Sequence, residues 1–485
     1  MEFLLQIWSF FAENILQKPA FFIGLMVLIG NALLKKPLHE IVSSFIKATV
    51  GYMILTVGSG GLVSSCRPVL VGLKDKFNIS AVIIDPYYGQ SAIDAALNAV
   101  NRSFSMVMVL LLIAFVFNIL LVAFRKVTKI RSVFTTGHIQ VQQSAIAFWI
   151  ILTCFPQLAD TQYLILMGIL LGTYWAVGSN LTVDITQELT DGGGFCIAHQ
   201  QMFGIKLTEW LAPKIGGKNP KRLQDMELPG WMSIFNENVV TTALIMLAFF
   251  GSILLFLGKE FLVAGGFLKA KDNFFFYILT FAFNFAVYLT ILQLGVRMFV
   301  SELTQSFQGI STKLLPGAIP GIDVPAVYTF GSPNAITFGF IAAAIGQLVA
   351  ILGLIVFKSP ILIVAGFVPM FFGDGTLAVF ANHKCGIKAA LAIPFITGII
   401  AVLGSATFAS FLGLAQYGGF NGLFDWVTVW QGFAYLMKYG GYFGVALIVI
   451  GLLAIPQIQY ARNKDTYFLI TDDFAAYKEK MENKA

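Results

Sequence analysis

The stretch Thr182–Gln201 reads TVDITQELTDGGGFCIAHQQ. It carries three acids (Asp184, Glu188, Asp191), three successive glycines, one histidine and a terminal glutamine pair, in a chain that is 57% hydrophobic. A polar run among apolar neighbours has to be buried in protein, line a water-filled cavity, or lie in a loop. The glycines argue against a plain helix and for a turn with exposed backbone amides. A cytoplasmic loop is the plain reading of such a run; part of a polar substrate site is the sharper one.

The surroundings of that stretch set the class of protein. Of 485 residues only 12% are charged, against about 25% in soluble domains, and the mean hydropathy is +0.80. These values describe an all-α polytopic membrane protein. The start, MEFLLQIWSFFAEN, has neither a basic n-region nor a small-residue cleavage site, so no cleaved signal peptide is expected. The formal net charge of +6 fits lysines and arginines in cytoplasmic loops and gives no reason to expect nucleic acid. Cys66, Cys154, Cys196 and Cys385 are scattered without metal or disulfide spacing.

Because a spanning helix takes roughly 20 mostly apolar residues, about eleven spans are expected. In the first half they are Phe21–Leu34, Ile41–Val57, Phe104–Phe124, Ser144–Phe155 and Tyr163–Leu181. The second half gives Val239–Phe256, Phe274–Leu294, Ala335–Phe357, Ile361–Phe372, Ala389–Phe411 and Phe443–Pro456. The short fourth and ninth read as broken helices or re-entrant hairpins. Basic residues follow every odd-numbered span: Lys35 and Lys36, then Arg125 to Arg131, Lys206 to Arg222, Arg297 and Lys313, Lys384 and Lys388, Arg462 and Lys464. The N-terminus is therefore expected outside and the C-terminus in the cytoplasm. Ser64–Arg102, basic on the nominally outer side, reads in part as a re-entrant or interfacial element.

The polar connection at about 206–231 divides a first repeat at about 14–205 from a second at about 232–412, with a last span and cytoplasmic tail at about 413–485. Five spans per half is the arithmetic of an inverted-topology repeat. No separate soluble domain is expected; 1–485 reads as one transmembrane unit.

Such proteins place their site at discontinuous helices near mid-membrane. Four stretches have that character: Ile84–Gln90 with its Asp-Pro, Thr136–Gln143, Gly192–Gln201, and Leu315–Asp323 with two Pro-Gly steps. On a helix His138 and Gln142, four apart, share one face. Histidine and glutamine supply both donors and acceptors, which suits a polyhydroxylated solute. Each histidine could instead be a helix-packing partner, Asp323 could cap a helix, and Asn284 and Gln347 read as interhelical hydrogen-bonding residues. Two histidines without a carboxylate cluster make a poor metal site. With no nucleotide signature and no activated nucleophile, catalysis by the chain alone and a bound cofactor are both unexpected.

On these residues the chain resembles the membrane-embedded IIC permeases of the ascorbate-type phosphoenolpyruvate-dependent phosphotransferase system, within the ascorbate–galactitol superfamily. The resemblance rests on GYMILTVGSGGL from Gly51, TGHIQVQQ from Thr136, TQELTDGGGFCIAHQQ from Thr186, LPGW from Leu228, GVRMFVSEL from Gly295, FQGIS from Phe307 and GFVPMFFGDGTLAVFAN from Gly366. It implies an elevator-type homodimer of eleven-span protomers in the bacterial plasma membrane. L-ascorbate would be imported with coupled phosphorylation by a separate phosphocysteine IIB protein, itself charged by IIA. Carried over by motif, the substrate contacts would be Pro86, Tyr87, His138, Gln142, His199, Gln200 and Asp323. The amides of Gly192–Gly194 would help to bind the anion. Pro86 departs from the family pattern, which has threonine there; the loss of a hydroxyl and an N–H could signal a related substrate. A galactitol-type permease, or a proton-coupled secondary transporter using His138, His199 and Asp323, are the competing readings.

Overall fold

The computed structural model describes residues 14–15, 18–77, 80–217, 220–225, 234 and 237–483. The LPGW motif at Leu228–Trp231 lies outside the described residues. Among the described residues, seven helical stretches are long and apolar enough to cross a membrane, from Leu38–Gly58 to Phe424–Arg462, and two shorter apolar helices accompany them.

Two very long helices frame the two halves. In the first, α1 (Pro19–Leu33) leads to α2 (Leu38–Phe77), which runs on through Pro68. The next elements are β1 (Ser80–Ile84), α3 (Pro86–Ala99), α4 (Ser105–Ala123), β2 (Ser132–Phe134) and α5 (Gly137–Cys154). They are followed by α6 (Asp160–Leu181), α7 (Val183–Thr190), β3 (Cys196–Ile197) and α8 (Met202–Gly216). The second half repeats the order. After α9 (Asn238–Leu257) come α10 (Phe274–Leu314), β4 (Ile319–Ile322), α11 (Pro325–Tyr328), α12 (Pro333–Val356) and β5 (Ile361–Ala365). A π-helical turn at Pro369–Asp374 then enters α13 (Gly375–Phe411), which breaks at Cys385 and Gly386. The chain closes with β6 (Gly419–Phe420), α14 (Phe424–Val427), α15 (Val429–Arg462), α16 (Leu469–Asp472) and α17 (Phe474–Glu482).

The six strands form two small parallel sheets, and each mixes the halves. In one, β1 lies between β5 and β6, with Ser80 opposite Ile361, Ile84 opposite Ala365, and Ile84 opposite Phe420. In the other, β4 lies between β2 and β3, with Phe134 and Cys196 both opposite Gly321. Each centre strand thus comes from one half and both of its flanks from the other. Extended backbone among apolar helices leaves its amides unpaired unless a ladder takes them up; these ladders do so. Gly321 is required at the crossing, since a Cβ there would lie 2.7 Å from the Ala198 Cβ.

Several expectations change with this architecture. Ile361–Phe372 is not a short spanning helix: Ile361–Ala365 is a fully buried strand, its β-branched residues filling both faces. Ser144–Phe155 is the later part of α5, which starts directly after β2 at Gly137. The expected seventh span continues without a break, so Arg297 belongs to helix α10 and not to a basic loop. Arg131 is fully buried, its guanidinium bonded to Asp184 at 2.7 Å and to Asn180. Asn284 is exposed and Gln347 is buried, yet neither bonds to a described residue; as bridges between helices they have no partner there.

The chain's last helices close over the second sheet. Ile470, Phe474 and Tyr477 pack on Val183, Cys196 and Ile319, and Arg125 reaches Asp472 at 3.0 Å.

Candidate functional site

Every strand of the two sheets runs into a helix N-terminus within a few residues, and the polar residues cluster at those junctions. This is where open α/β folds also keep their ligand crevices, because the junction backbone is irregular and the helix ends carry unpaired amides. Asp85 ends β1 and starts α3 by accepting the Tyr87 amide at 3.0 Å. Pro86 takes the first helical position, where a missing N–H is harmless; its presence in this chain thus has a local structural reason. His138 and Gln142 sit on the first turns of α5 after β2, and His199 to Gln201 lie between β3 and α8. Asp323 follows β4 directly.

Six of the seven expected residues, Pro86, Tyr87, His138, Gln142, His199 and Asp323, line one cavity of about 450 Å³. The seventh, Gln200, stands behind them. It donates to Gln142 Oε1 at 2.7 Å while its own oxygen accepts from Trp426 Nε1 at 2.6 Å and Asn421 Nδ2 at 3.2 Å. This relay occupies the Gln142 oxygen and turns the Gln142 amide nitrogen, the donor end, to the cavity side, where the Tyr87 hydroxyl is one partner.

The two histidines flank one carboxylate. His138 Nε2 lies 3.4 Å from Asp323 Oδ2, and His199 Nε2 lies 3.6 Å from Asp323 Oδ1. Both separations exceed a good hydrogen bond, so the three groups are gathered without being saturated by one another. Neighbouring bonds assign the tautomer of His199. Gln201 Nε2 donates to the Phe372 carbonyl at 2.9 Å, which turns Gln201 Oε1 towards His199 Nδ1 at 2.6 Å. Nδ1 therefore carries the hydrogen, and in the neutral ring Nε2 presents a lone pair. Gln143 holds the same loop from the other side, donating to the His199 carbonyl at 3.1 Å while its oxygen accepts from Trp175 Nε1 at 2.5 Å. The Nδ1 atom of His138 is buried and has no hydrogen-bond partner among the described residues. The cavity therefore offers both acceptors and donors, a pattern made for hydroxyl groups.

Asp323 does not cap α11. Among the described residues its Oδ1 accepts only from the adjacent Val324 amide, at 2.7 Å, and the N-cap position is Val324, so the capping alternative is set aside.

The stretch Thr182–Gln201 divides in two. Its last three residues build the site, but its acids and glycines do other work. Asp184 pairs with Arg131, Glu188 with Lys384, and Asp191 with Lys478. The amides expected to bind an anion terminate α7 instead: Gly192 N donates to the Gln187 carbonyl, Gly193 N to Thr190 Oγ1 and Gly194 N to Gln187 Oε1. Asp191, Gly192 and Gly194 take positive φ to make that end.

Sequence reasoning passed over several contributors. Gln143 and Gln201 are the second members of the two glutamine pairs, visible as pairs but without a hint of which member faces the cavity. Tyr328 lines the cavity, with its hydroxyl 3.0 Å from Thr376 Oγ1. Phe371 and Phe372 supply an apolar side. Arg297 also lines it, inside the quoted motif GVRMFVSEL.

Two comparisons bear on what this site belongs to. A family model described as the PTS system sugar-specific permease component, EIIC-GAT, matches residues 14–425. The protein described as the ascorbate-specific PTS system EIIC component of Mycoplasma pneumoniae is 33% identical over 443 residues, covering 83% of this chain and 66% of that protein. The chain thus spans just under two thirds of that relative's length.

Proposed function

The chain belongs to the sugar-specific permease component family of the phosphotransferase system, and we propose that it imports L-ascorbate and delivers it to the cytoplasm phosphorylated. It is a multi-pass membrane protein. The observation that carries the proposal is the cavity in which His138, His199 and Asp323 converge with the Gln142 amide. The described relative's name supports ascorbate as the solute.

In this reading the His199 Nε2 lone pair and Asp323 accept from substrate hydroxyls, and Gln142 donates to a substrate oxygen. Tyr87 and Pro86 close the side formed by the start of α3. Gln200 acts through Gln142, and Gln201 through the ring of His199. A carboxylate beside an anion is repulsive, so Asp323 faces the neutral, hydroxyl-bearing end. The phosphoryl group comes from the phosphocysteine of a separate IIB protein, recharged by IIA. A substrate hydroxyl oxygen attacks phosphorus, the IIB thiolate leaves, and the hydroxyl proton is released. The chain binds and orients the substrate and does not form a phosphorylated intermediate of its own.

The same reading makes the protein a homodimer with its N-terminus outside and its C-terminus in the cytoplasm, working by an elevator step. The recurrence of helix, strand, short helix, helix and strand in the two halves supports an inverted repeat, with the exchanged strands joining both halves in one moving body. Basic cytoplasmic residues would steer IIB.

Uptake of labelled ascorbate into proteoliposomes, with and without phosphorylated IIB, tests the proposal. Ascorbate phosphate formed only with charged IIB is the expected result. Accumulation of unmodified ascorbate driven by a proton gradient, with IIB absent, would overturn the coupling.

A further inference from the structure

We propose that Arg297 is the anion-recognition residue of the cavity, the group that lets the site prefer an acidic solute over a neutral polyol. The inference rests on the function proposed above and deepens it.

Arg297 lies in α10, inside the apolar stretch Phe274–Phe299 that is long enough to cross a membrane. A guanidinium in such a stretch is costly unless it faces water, a cavity or a counter-charge. It lines the same cavity as His138, His199 and Asp323, and its side chain is exposed there. Among the described lining residues it is the only lysine or arginine; the other titratable groups are tyrosines, histidines and one aspartate.

Among the described residues its charge is also uncommitted. Three other arginines of the fold are held by acids: Arg131 by Asp184 at 2.7 Å, Arg102 by Asp160 at 2.8 Å and Arg125 by Asp472 at 3.0 Å. The acid nearest to Arg297 along α10, Glu302, is engaged by Lys47 at 3.3 Å. Arg297 has no ion pair with any described residue. An unpaired guanidinium facing a polar cavity is a fork of donors in a fixed plane, suited to a delocalised anion such as an enediolate or carboxylate.

The rest of the cavity cannot supply this. With the Gly192–Gly194 amides consumed by the end of α7, the strand–helix junctions offer neutral donors, lone pairs and the negative Asp323. An anion bound to those groups alone meets net repulsion. Arg297 reverses the sign, and it does so from the body of helix α10 instead of from a strand–helix junction. Its helix packs closely on α2, where Gly51 and Gly295 let the backbones approach; a Cβ on Gly51 would lie 2.6 Å from the Phe299 amide nitrogen. The cation thus comes from the middle of a long helix and the polar groups from the strand–helix junctions, and both line the same cavity.

The test is equilibrium binding to the purified full-length protein in nanodiscs. Ascorbate is the anionic probe and L-gulono-1,4-lactone the neutral one, measured for wild type, R297K and R297Q. R297Q is expected to weaken ascorbate at least tenfold and the lactone less than threefold, with R297K between, and thermal unfolding of all three unchanged. Equal loss for both probes, or ascorbate affinity unchanged in R297Q, overturns the assignment. If wild type does not bind ascorbate, the substrate reading falls separately. The role of Arg297 is then read from a sugar acid and its neutral polyol counterpart: a wild-type preference for the acid that R297Q erases upholds it, and no such preference overturns it.

Discussion

The first and second halves each carry a strand that ends in Ile-Asp and leads to a proline-started helix, yet the two aspartates have different occupations. In the first half Asp85 is followed at once by Pro86. The acid then occupies the N-cap position of α3, accepts the Tyr87 amide at 3.0 Å and is almost wholly buried. In the second half Val324 separates Asp323 from Pro325. That one residue moves the N-cap to Val324 and carries the carboxylate out to two histidines. The same local grammar therefore makes a structural acid in one place and a candidate binding acid in the other. What separates them is a single position in the register between strand end and helix start.

Substitutions that separate binding from folding test this contrast. The largest effect is expected at Asp323. Asp323→Ala removes a charged acceptor, each such bond being worth about 1.5–3 kcal/mol, so ascorbate affinity should fall roughly 10- to 100-fold while the unfolding temperature barely moves. An affinity within threefold of wild type, by calorimetry, would return Asp323 to a structural role. Asp85→Ala should show the reverse. Loss of a cap costs about 1–2 kcal/mol, visible as a lower melting temperature, with ascorbate affinity reduced far less than by the Asp323 change. If the two variants behave alike, the contrast fails.

A smaller, sharper test concerns the relay behind Gln142. Gln142→Leu and Gln200→Leu should each weaken binding, Gln142→Leu more strongly. The double variant should be no worse than Gln142→Leu alone, because coupled residues do not add. Additive losses would mean that Gln200 meets the substrate independently. The least effect is expected at Lys478. Its bond to Asp191 is exposed on both sides, and exposed pairs contribute little. Lys478→Ala should leave both melting temperature and uptake at wild-type values, and a clear drop in either would give the tail a role beyond packing through Ile470, Phe474 and Tyr477.

Much of the candidate site was legible because its chemistry is unusual for its setting. Histidine and paired glutamine in apolar sequence, and Pro-Gly steps ahead of an acid, mark places where a membrane protein gives up regular helix. His138, Gln142, His199 and Asp323 come from three distant stretches, and each was identifiable on that ground alone. What did not follow was the division of labour within a motif. Nothing in HQQ or QVQQ tells which glutamine faces a solute and which props up a histidine; that depends on Phe372, Trp175, Trp426 and Asn421, none of them adjacent in sequence to the residue it serves.

By itself, then, the sequence determined a polytopic helical membrane protein, because hydrocarbon admits few charges and the chain has few. It also determined which short polar stretches break that pattern. Only the tertiary structure decided that Ile361–Ala365 is a strand, since a short run of buried β-branched residues suits a strand as well as a helix until a partner, here β1, is present to take its backbone bonds. Only the tertiary structure turned Arg297 from a loop charge into a cavity residue, because hydropathy locates the end of an apolar run and not the end of a helix. And only the tertiary structure assigned the three acids of Thr182–Gln201 to ion pairs, because the partners that fix them, Arg131, Lys384 and Lys478, lie far away in the chain, in the first half, the second half and the tail respectively.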